Sequence, residues 1–167
     1  QPAFRLFFST LAQHRTVVRY DRPGVGLSSR ERHDFTQETE VEVLDAIIGG
    51  LARSTVDLLA FSCAAPVALA WAAANPGRTQ KLVFVGAYAC GSDLGANNIR
   101  DALMALVKAH WGMGAATINR LFSPDLSSED ARSFGRDQLA SASAETAAKL
   151  LGLSFAMDAR EAAAPSA

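Results

Sequence analysis

The stretch Val56-Asp-Leu-Leu-Ala-Phe-Ser-Cys-Ala-Ala-Pro-Val67 decides the fold of this chain. The apolar run from Val56 to Phe61 predicts a buried strand, and the small residues after Ser62 predict a helix. Pro66 agrees with a helix that begins near Cys63, because proline is tolerated in the first turn, where N–H groups have no partner within the helix. Ser62 therefore lies at the junction between a strand and a helix.

The residues on both sides of Ser62 are small. Ala60 and Ala64 flank the serine two positions away, which gives the pattern small-x-Ser-x-small. This pattern is a variant of the Gly-x-Ser-x-Gly nucleophile elbow, a sharp turn that presents a serine hydroxyl. The backbone of such a turn is strained and neighbouring chain passes close by, so a large flanking side chain would clash. A strand and a helix with an incidental serine between them remain the alternative interpretation.

Cys63 is the rival nucleophile at this turn. With Cys63 at the sharp position, the flanking residues would be Phe61 and Ala65, and phenylalanine is too large for such a place. We therefore prefer Ser62 as the catalytic residue. The backbone N–H of Cys63, at the start of a helix, is then expected to be one donor of an oxyanion hole.

The composition of the chain limits its classes of function. Its 167 residues are enough for a sizeable core, and 49% hydrophobic with 20% charged residues is ordinary for a globular protein. A net charge of −1 favours neither nucleic acid nor an anionic membrane as a partner. Two cysteines, Cys63 and Cys90, are too few for a disulfide framework and form no metal-ligand pattern. We therefore expect a cytoplasmic protein without a metal or cofactor.

Hydrophobic periodicity predicts an alternation of helices and strands in the first half of the chain. Residues 3–13 have the spacing of an amphipathic helix. Thr16 to Tyr20 is a β-branched run that predicts a first strand. Thr36 predicts the start of a second helix. Lys81 to Val85 predicts a third strand after Val56 to Phe61. Continuous apolar strands that alternate with helices imply parallel pairing.

The second half of the chain is predicted to be helical throughout. Ser127 and Ser143 are expected helix caps, and His110 is expected on the apolar face of a helix. The turn Gly24-Val-Gly26 lacks the third glycine of a dinucleotide fingerprint and the Gly-Lys-Ser/Thr of a P-loop. A tight turn is therefore preferred to a nucleotide site.

Three motifs, in this order, resemble those of the α/β-hydrolase family. Residues 20–28 resemble the family's turn after its fourth strand, residues 60–64 its elbow after the fifth strand, and residues 81–86 its sixth strand. The helical part from about Ser92 resembles the family's cap over the active site, and bacterial hydrolase-like domains are the most similar members. The resemblance implies an α/β chain: a partial α/β-hydrolase fold of three parallel strands with flanking helices and a helical cap.

The same resemblance implies a division of the chain and an incomplete catalytic set. Residues 1–91 are expected to be a partial core, 92–161 a helical cap and 162–167 a flexible tail. In the family an acid and a histidine follow the serine, whereas His14 and His33 precede Ser62 and His110 lies in the helical part. Asp93 is a candidate for the acid. We expect an internal piece of a longer protein, with the acid and histidine outside this chain.

Three functions remain open at this point. The first is a serine hydrolase that cleaves an ester or similar bond of a small molecule, with this chain inactive on its own. The second is a non-catalytic, hydrolase-like binding or sensory domain. The third is a structural fragment without activity. Fusion to other modules in the full-length protein is an arrangement that the resemblance also suggests.

Overall fold

The computed structural model describes residues 2–163. Its two strands are β1 (Val56–Phe61) and β2 (Thr79–Val85), and a 3-10 helix covers Gly91–Leu94. The α-helices of this part of the chain, in order, are α1 (Pro2–Ala12), α2 (Gln37–Gly50), α3 (Ala64–Ala74), α4 (Asn97–Ala109), α5 (Trp111–Phe122), α6 (Ser128–Ser141), α7 (Ala144–Ala156) and α8 (Arg160–Ala163).

The described sheet is parallel, as predicted, but it has two strands and not three. β1 pairs with β2, and the connection between them contains α3. The expected first strand, Thr16 to Tyr20, belongs to neither strand of this sheet. A β-branched run shows that residues suit a pleated, half-buried surface, but a strand exists only where a neighbouring chain completes the ladder of hydrogen bonds. The prediction of three strands was therefore wrong by one.

Helix starts were predicted well because they depend on a few neighbouring residues. The Thr36 hydroxyl accepts a hydrogen bond from the Thr39 N–H at 3.1 Å, and Ser127 does the same for the Asp130 N–H at 3.1 Å. Ser143 caps α7 in the same way. Each bond satisfies an N–H group that has no acceptor within its own helix.

The expectation for His110 was wrong. His110 is exposed and lies between α4 and α5, where its Nδ1 accepts a hydrogen bond from the Met113 N–H at 3.2 Å. The apolar spacing continued past the true end of α4 at Ala109, and helix ends follow caps more closely than they follow periodicity. His110 is thus a cap of α5 and not a residue of an apolar helix face.

The chain forms two compact units. One contains the described residues up to Arg32 together with Leu103–Ala148, and its buried apolar side chains include Leu103, Val107 and Ala115. The other contains His33–Ala102 and the described residues from Lys149 onward. The predicted division into core and cap stays a prediction, and residues 164–167 of the predicted tail lie outside the described residues.

The second unit contains both strands and most of the larger buried side chains. One cluster consists of Val67, Leu153 and Met157, with Val41 and Leu44 packed against it. A second cluster places Ala60 at the end of β1 against two buried alanines of α3, Ala65 and Ala68. Burial of apolar surface in these clusters stabilises the junction between β1 and α3.

The glycine-rich turn of residues 20–28 is held by an aspartate. The Asp21 carboxylate accepts a hydrogen bond from the Leu27 N–H at 2.9 Å, and Gly26 has φ +58°. A Cβ atom at position 26 would overlap that carboxylate. Glycine is therefore needed here both for the left-handed backbone and for the close approach of Asp21.

Of the helices between residues 2 and 163, none combines the length and the apolar character that crossing a lipid bilayer requires.

Candidate active site

Ser62 lies on the turn that joins β1 to α3. β1 ends at Phe61, α3 begins at Ala64, and Ser62 has φ +47°. Among the described residues Ser62 is the one residue other than glycine with a positive φ. A left-handed backbone at a residue with a Cβ atom costs energy and persists only where the surroundings impose it. The predicted strand–serine–helix turn is thus confirmed, and its backbone is strained as expected.

Two backbone hydrogen bonds hold this turn. The Ser62 N–H donates to the carbonyl oxygen of Val85, at the end of β2, at 3.0 Å. The Ser62 carbonyl oxygen accepts from the Ala65 N–H, also at 3.0 Å. The first bond attaches the serine to the neighbouring strand, and the second starts α3. The side chain is exposed, so its hydroxyl is accessible to a small molecule.

The small flanking residues have different surroundings. Ala60 is 3% exposed and packs against α3, so a larger side chain there would disturb the core. Ala64 is exposed, so crowding within the described residues does not explain its small size. Pro66 is buried in the first turn of α3, where its missing N–H costs nothing.

The start of α3 offers two free hydrogen-bond donors. Within the described part of the chain, neither the Cys63 N–H nor the Ala64 N–H has a hydrogen-bond acceptor. The first N–H groups of a helix lack partners in that helix and lie at the positive end of its dipole. They suit an oxygen that becomes negatively charged. The Cys63 thiol itself is free and half-buried.

Among the described residues, none that could act as a base forms a hydrogen bond with Ser62. No described residue forms a hydrogen bond with the Ser62 hydroxyl. His14 and His33 are exposed, and one ring nitrogen of His110 is already bonded within α5. Asp93, the candidate acid, is exposed on the 3-10 helix that follows β2. The roles given to Ser62 and Cys63 therefore stay predictions.

A surface groove of about 710 Å³ lies at the other end of α3 and does not include Ser62. Its walls are small side chains of α3 and the polar segment that contains Asp158 and Arg160. Those two charged groups are bonded to each other, with the Arg160 Nε donating to the Asp158 carboxylate at 2.9 Å. The described walls of the groove have no strained residue comparable to Ser62, so the turn at Ser62 is the better candidate site.

Sequence reasoning missed Gly86 as a neighbour of Ser62. Phe61 pairs with Val85 in the ladder, so Ser62 and Gly86 are the two residues that directly follow the paired strand ends. Gly86 has φ +58°. A glycine directly after an apolar strand was the available signal, but the register that brings it beside the serine is not visible in either segment alone.

Comparison with known proteins assigns the family. A family model described as the alpha/beta hydrolase fold matches residues 3–156. This chain belongs to that family, and it has a partial alpha/beta hydrolase fold with a short parallel sheet. No curated protein sequence matches the chain significantly.

Solved structures with the same fold include three bacterial enzymes. A hydrolase from Oleispira antarctica matches with TM-score 0.86 and 17% identity, over 97% of this chain and 63% of its own. A bromoperoxidase from Bacillus anthracis has TM-score 0.73 and 19% identity, over 86% of this chain and 57% of its own. An esterase from Exiguobacterium antarcticum has TM-score 0.73 and 21% identity, over 85% and 56%. At such identities the likeness shows the fold alone.

Proposed function

We propose that this chain carries the nucleophile of a serine hydrolase that cleaves an ester or similar bond of a small molecule. The observation that carries the proposal is the left-handed backbone of Ser62, φ +47°, on a turn between a strand and a helix. Such strain at an exposed serine is typical of a nucleophile elbow. Membership of the alpha/beta hydrolase fold family supports the same class of enzyme.

The chemistry begins at the Ser62 hydroxyl. Its oxygen forms a bond to the carbonyl carbon of the ester while a base accepts the hydroxyl proton. The electron pair of the carbonyl double bond moves to the carbonyl oxygen, which becomes an oxyanion beside the free N–H of Cys63. The tetrahedral intermediate then collapses, the ester C–O bond breaks, and the alcohol leaves with the proton. Water releases the acid from the serine by the same steps.

We propose that the remaining catalytic groups lie outside this chain. The base and its acid partner are histidine and aspartate or glutamate residues that this chain does not supply. The chain spans 63%, 57% and 56% of the length of the three enzymes of the same fold. We assign substrate selection to the helical cap predicted over residues 92–161. We place the protein in the cytoplasm, and its two free thiols, Cys63 and Cys90, agree with a reducing compartment.

The test is a chromogenic ester assay on this chain and on the longest natural polypeptide that contains it. We expect negligible turnover by this chain alone, because a serine without a base is a weak nucleophile. In the longer polypeptide Ser62→Ala should reduce kcat by at least about 1,000-fold. The control is Ser54→Ala, an exposed serine before β1, which should leave kcat unchanged.

The results of the ester assay distinguish a serine hydrolase from a non-catalytic domain. Turnover in the longer polypeptide that survives Ser62→Ala contradicts the proposal. Binding of a small molecule without turnover in that polypeptide supports the second candidate, a non-catalytic hydrolase-like binding or sensory domain. Turnover by this chain alone that disappears in Ser62→Ala shows that the base lies within it.

A further inference from the structure

Gly86 directly follows the neighbouring strand β2, as Ser62 directly follows β1. The ladder pairs Phe61 with Val85, and the Ser62 N–H donates to the Val85 carbonyl oxygen at 3.0 Å. Adjacent strands in a sheet lie about 4.8 Å apart. The backbone of Gly86 is therefore about one strand spacing from the backbone of Ser62, at the same edge of the sheet.

The two residues both have a left-handed backbone φ where the chain leaves the sheet. Ser62 has φ +47° and Gly86 has φ +58°. A Cβ atom built at Gly86 would meet no heavy atom within 4 Å, whereas one at Gly91 would overlap the backbone oxygen of Ser154. Packing therefore requires glycine at position 91 but not at position 86. Position 86 is exposed and has room for a side chain, at the strand end next to the one that carries Ser62.

The direction of the oxyanion determines which part of a substrate lies near position 86. The free N–H groups of Cys63 and Ala64 lie on the α3 side of Ser62. In the proposed function the carbonyl oxygen of the substrate points toward these donors. The carbon bonded to the serine is tetrahedral in the intermediate, so its acyl chain takes a different direction from the oxyanion. On the other side the nearest position in register is Gly86, which has no side chain.

We propose that Gly86 sets the size of the acyl group that Ser62 accepts, so that the missing side chain is a determinant of substrate specificity. The proposal rests on the proposed function, because it uses the expected direction of the oxyanion. It predicts that esters with a bulky acyl part are accepted and that a side chain at position 86 excludes them. Gly86 is thus assigned to substrate selection, in addition to the helical cap predicted over residues 92–161.

The test measures space around position 62 without relying on catalysis. A thiol is introduced by Ser62→Cys, with Cys63→Ala to remove the neighbouring thiol, and its alkylation is followed by mass spectrometry. Iodoacetamide serves as the small reagent and N-(1-pyrenyl)maleimide as the bulky one. Gly86→Asn is then added, because asparagine tolerates a left-handed backbone better than most residues. Gly77→Asn is the matched control, since Gly77 also has a positive φ, +80°, and open space around it.

We expect Gly86→Asn to slow the bulky reagent by roughly tenfold or more, as a misfitting group in a pocket does, and the small reagent by less than about threefold. Gly77→Asn should change neither rate. An unchanged rate for the bulky reagent in Gly86→Asn overturns the proposal. Equal slowing by Gly77→Asn also overturns it, because the effect would then come from any added side chain.

Two controls show that the alkylation rates depend neither on unfolding nor on catalysis. Cys90 is 5% exposed, so its alkylation reports loss of the fold. If Gly86→Asn exposes Cys90, the smaller change Gly86→Ala is measured in its place. Gly86→Ala should also slow alkylation by the bulky reagent, and an unchanged rate overturns the proposal. The introduced thiol reacts without the base and acid of the enzyme. A negative result here therefore leaves the proposed function standing, and a failure of the Ser62→Ala test leaves this measurement valid.

Discussion

The backbone strain at Ser62 predicts that glycine is a better residue than alanine at this position. Ser62→Ala and Ser62→Gly both remove the hydroxyl, and they differ only in the Cβ atom. At φ +47° the Cβ atom costs about 1.5 kcal/mol, whereas glycine loses about 0.75 kcal/mol more in conformational entropy on folding. The free energy of unfolding of Ser62→Gly should therefore exceed that of Ser62→Ala by about 0.75 kcal/mol.

The assay is urea unfolding followed by tryptophan fluorescence, because Trp71 of α3 is fully buried at 0% exposure. Ala64→Gly is the control with the opposite sign. Ala64 is the first residue of α3 and has an ordinary helical backbone, so glycine there should lower the free energy of unfolding by up to about 1 kcal/mol. Equal stability of the two Ser62 variants, or greater stability of Ser62→Ala, would refute the claim that the turn is strained.

Two further predictions concern the segment after α7 and the 3-10 helix after β2. Hydrogen bonds from the Arg160 side chain, and then from its backbone N–H, lower the pKa of Asp158 from 3.8 to about 2. The resulting stabilisation is present above pH 3.8 and is lost as the pH falls through about 2, so Asp158→Asn should flatten the fall of the urea midpoint between about pH 4 and pH 2. Gly91→Ala should lower the free energy of unfolding by about 1–3 kcal/mol, because its Cβ would overlap the Ser154 backbone. Gly49→Ala, in an open part of α2, is the control and should not lower it.

The features that could be predicted from the sequence depend on short-range chemistry. The caps at Thr36 and Ser127 need only one hydroxyl and an N–H group three residues later. The turn at Ser62 is likewise contained in one stretch, since an apolar strand, small flanks and Pro66 are all within a few residues of it. Such features are readable because the physical cause and its effect are close in the chain.

The features that could not be predicted depend on partners distant in sequence. Thr16–Tyr20 has the composition of a strand, but pairing decides whether a strand forms, and composition does not identify a partner. Gly86 is 24 positions from Ser62 in the sequence, and only the register of β1 and β2 brings the two strand ends together. His110 was misplaced for a different reason, since hydrophobic spacing continued across the boundary between α4 and α5.

The bond from the Ser62 N–H to the Val85 carbonyl oxygen limits how far this site can be transplanted. A designer who moves residues 56–67 into another scaffold transfers the serine, the small flanks and the start of the helix. The acceptor at the end of β2 is not transferred, although it attaches the serine to the neighbouring strand. A host that lacks a parallel strand ending in the same register would leave that N–H without its acceptor and the turn free to relax. The portable unit is therefore the pair of strands with α3 between them, and the short peptide is not sufficient.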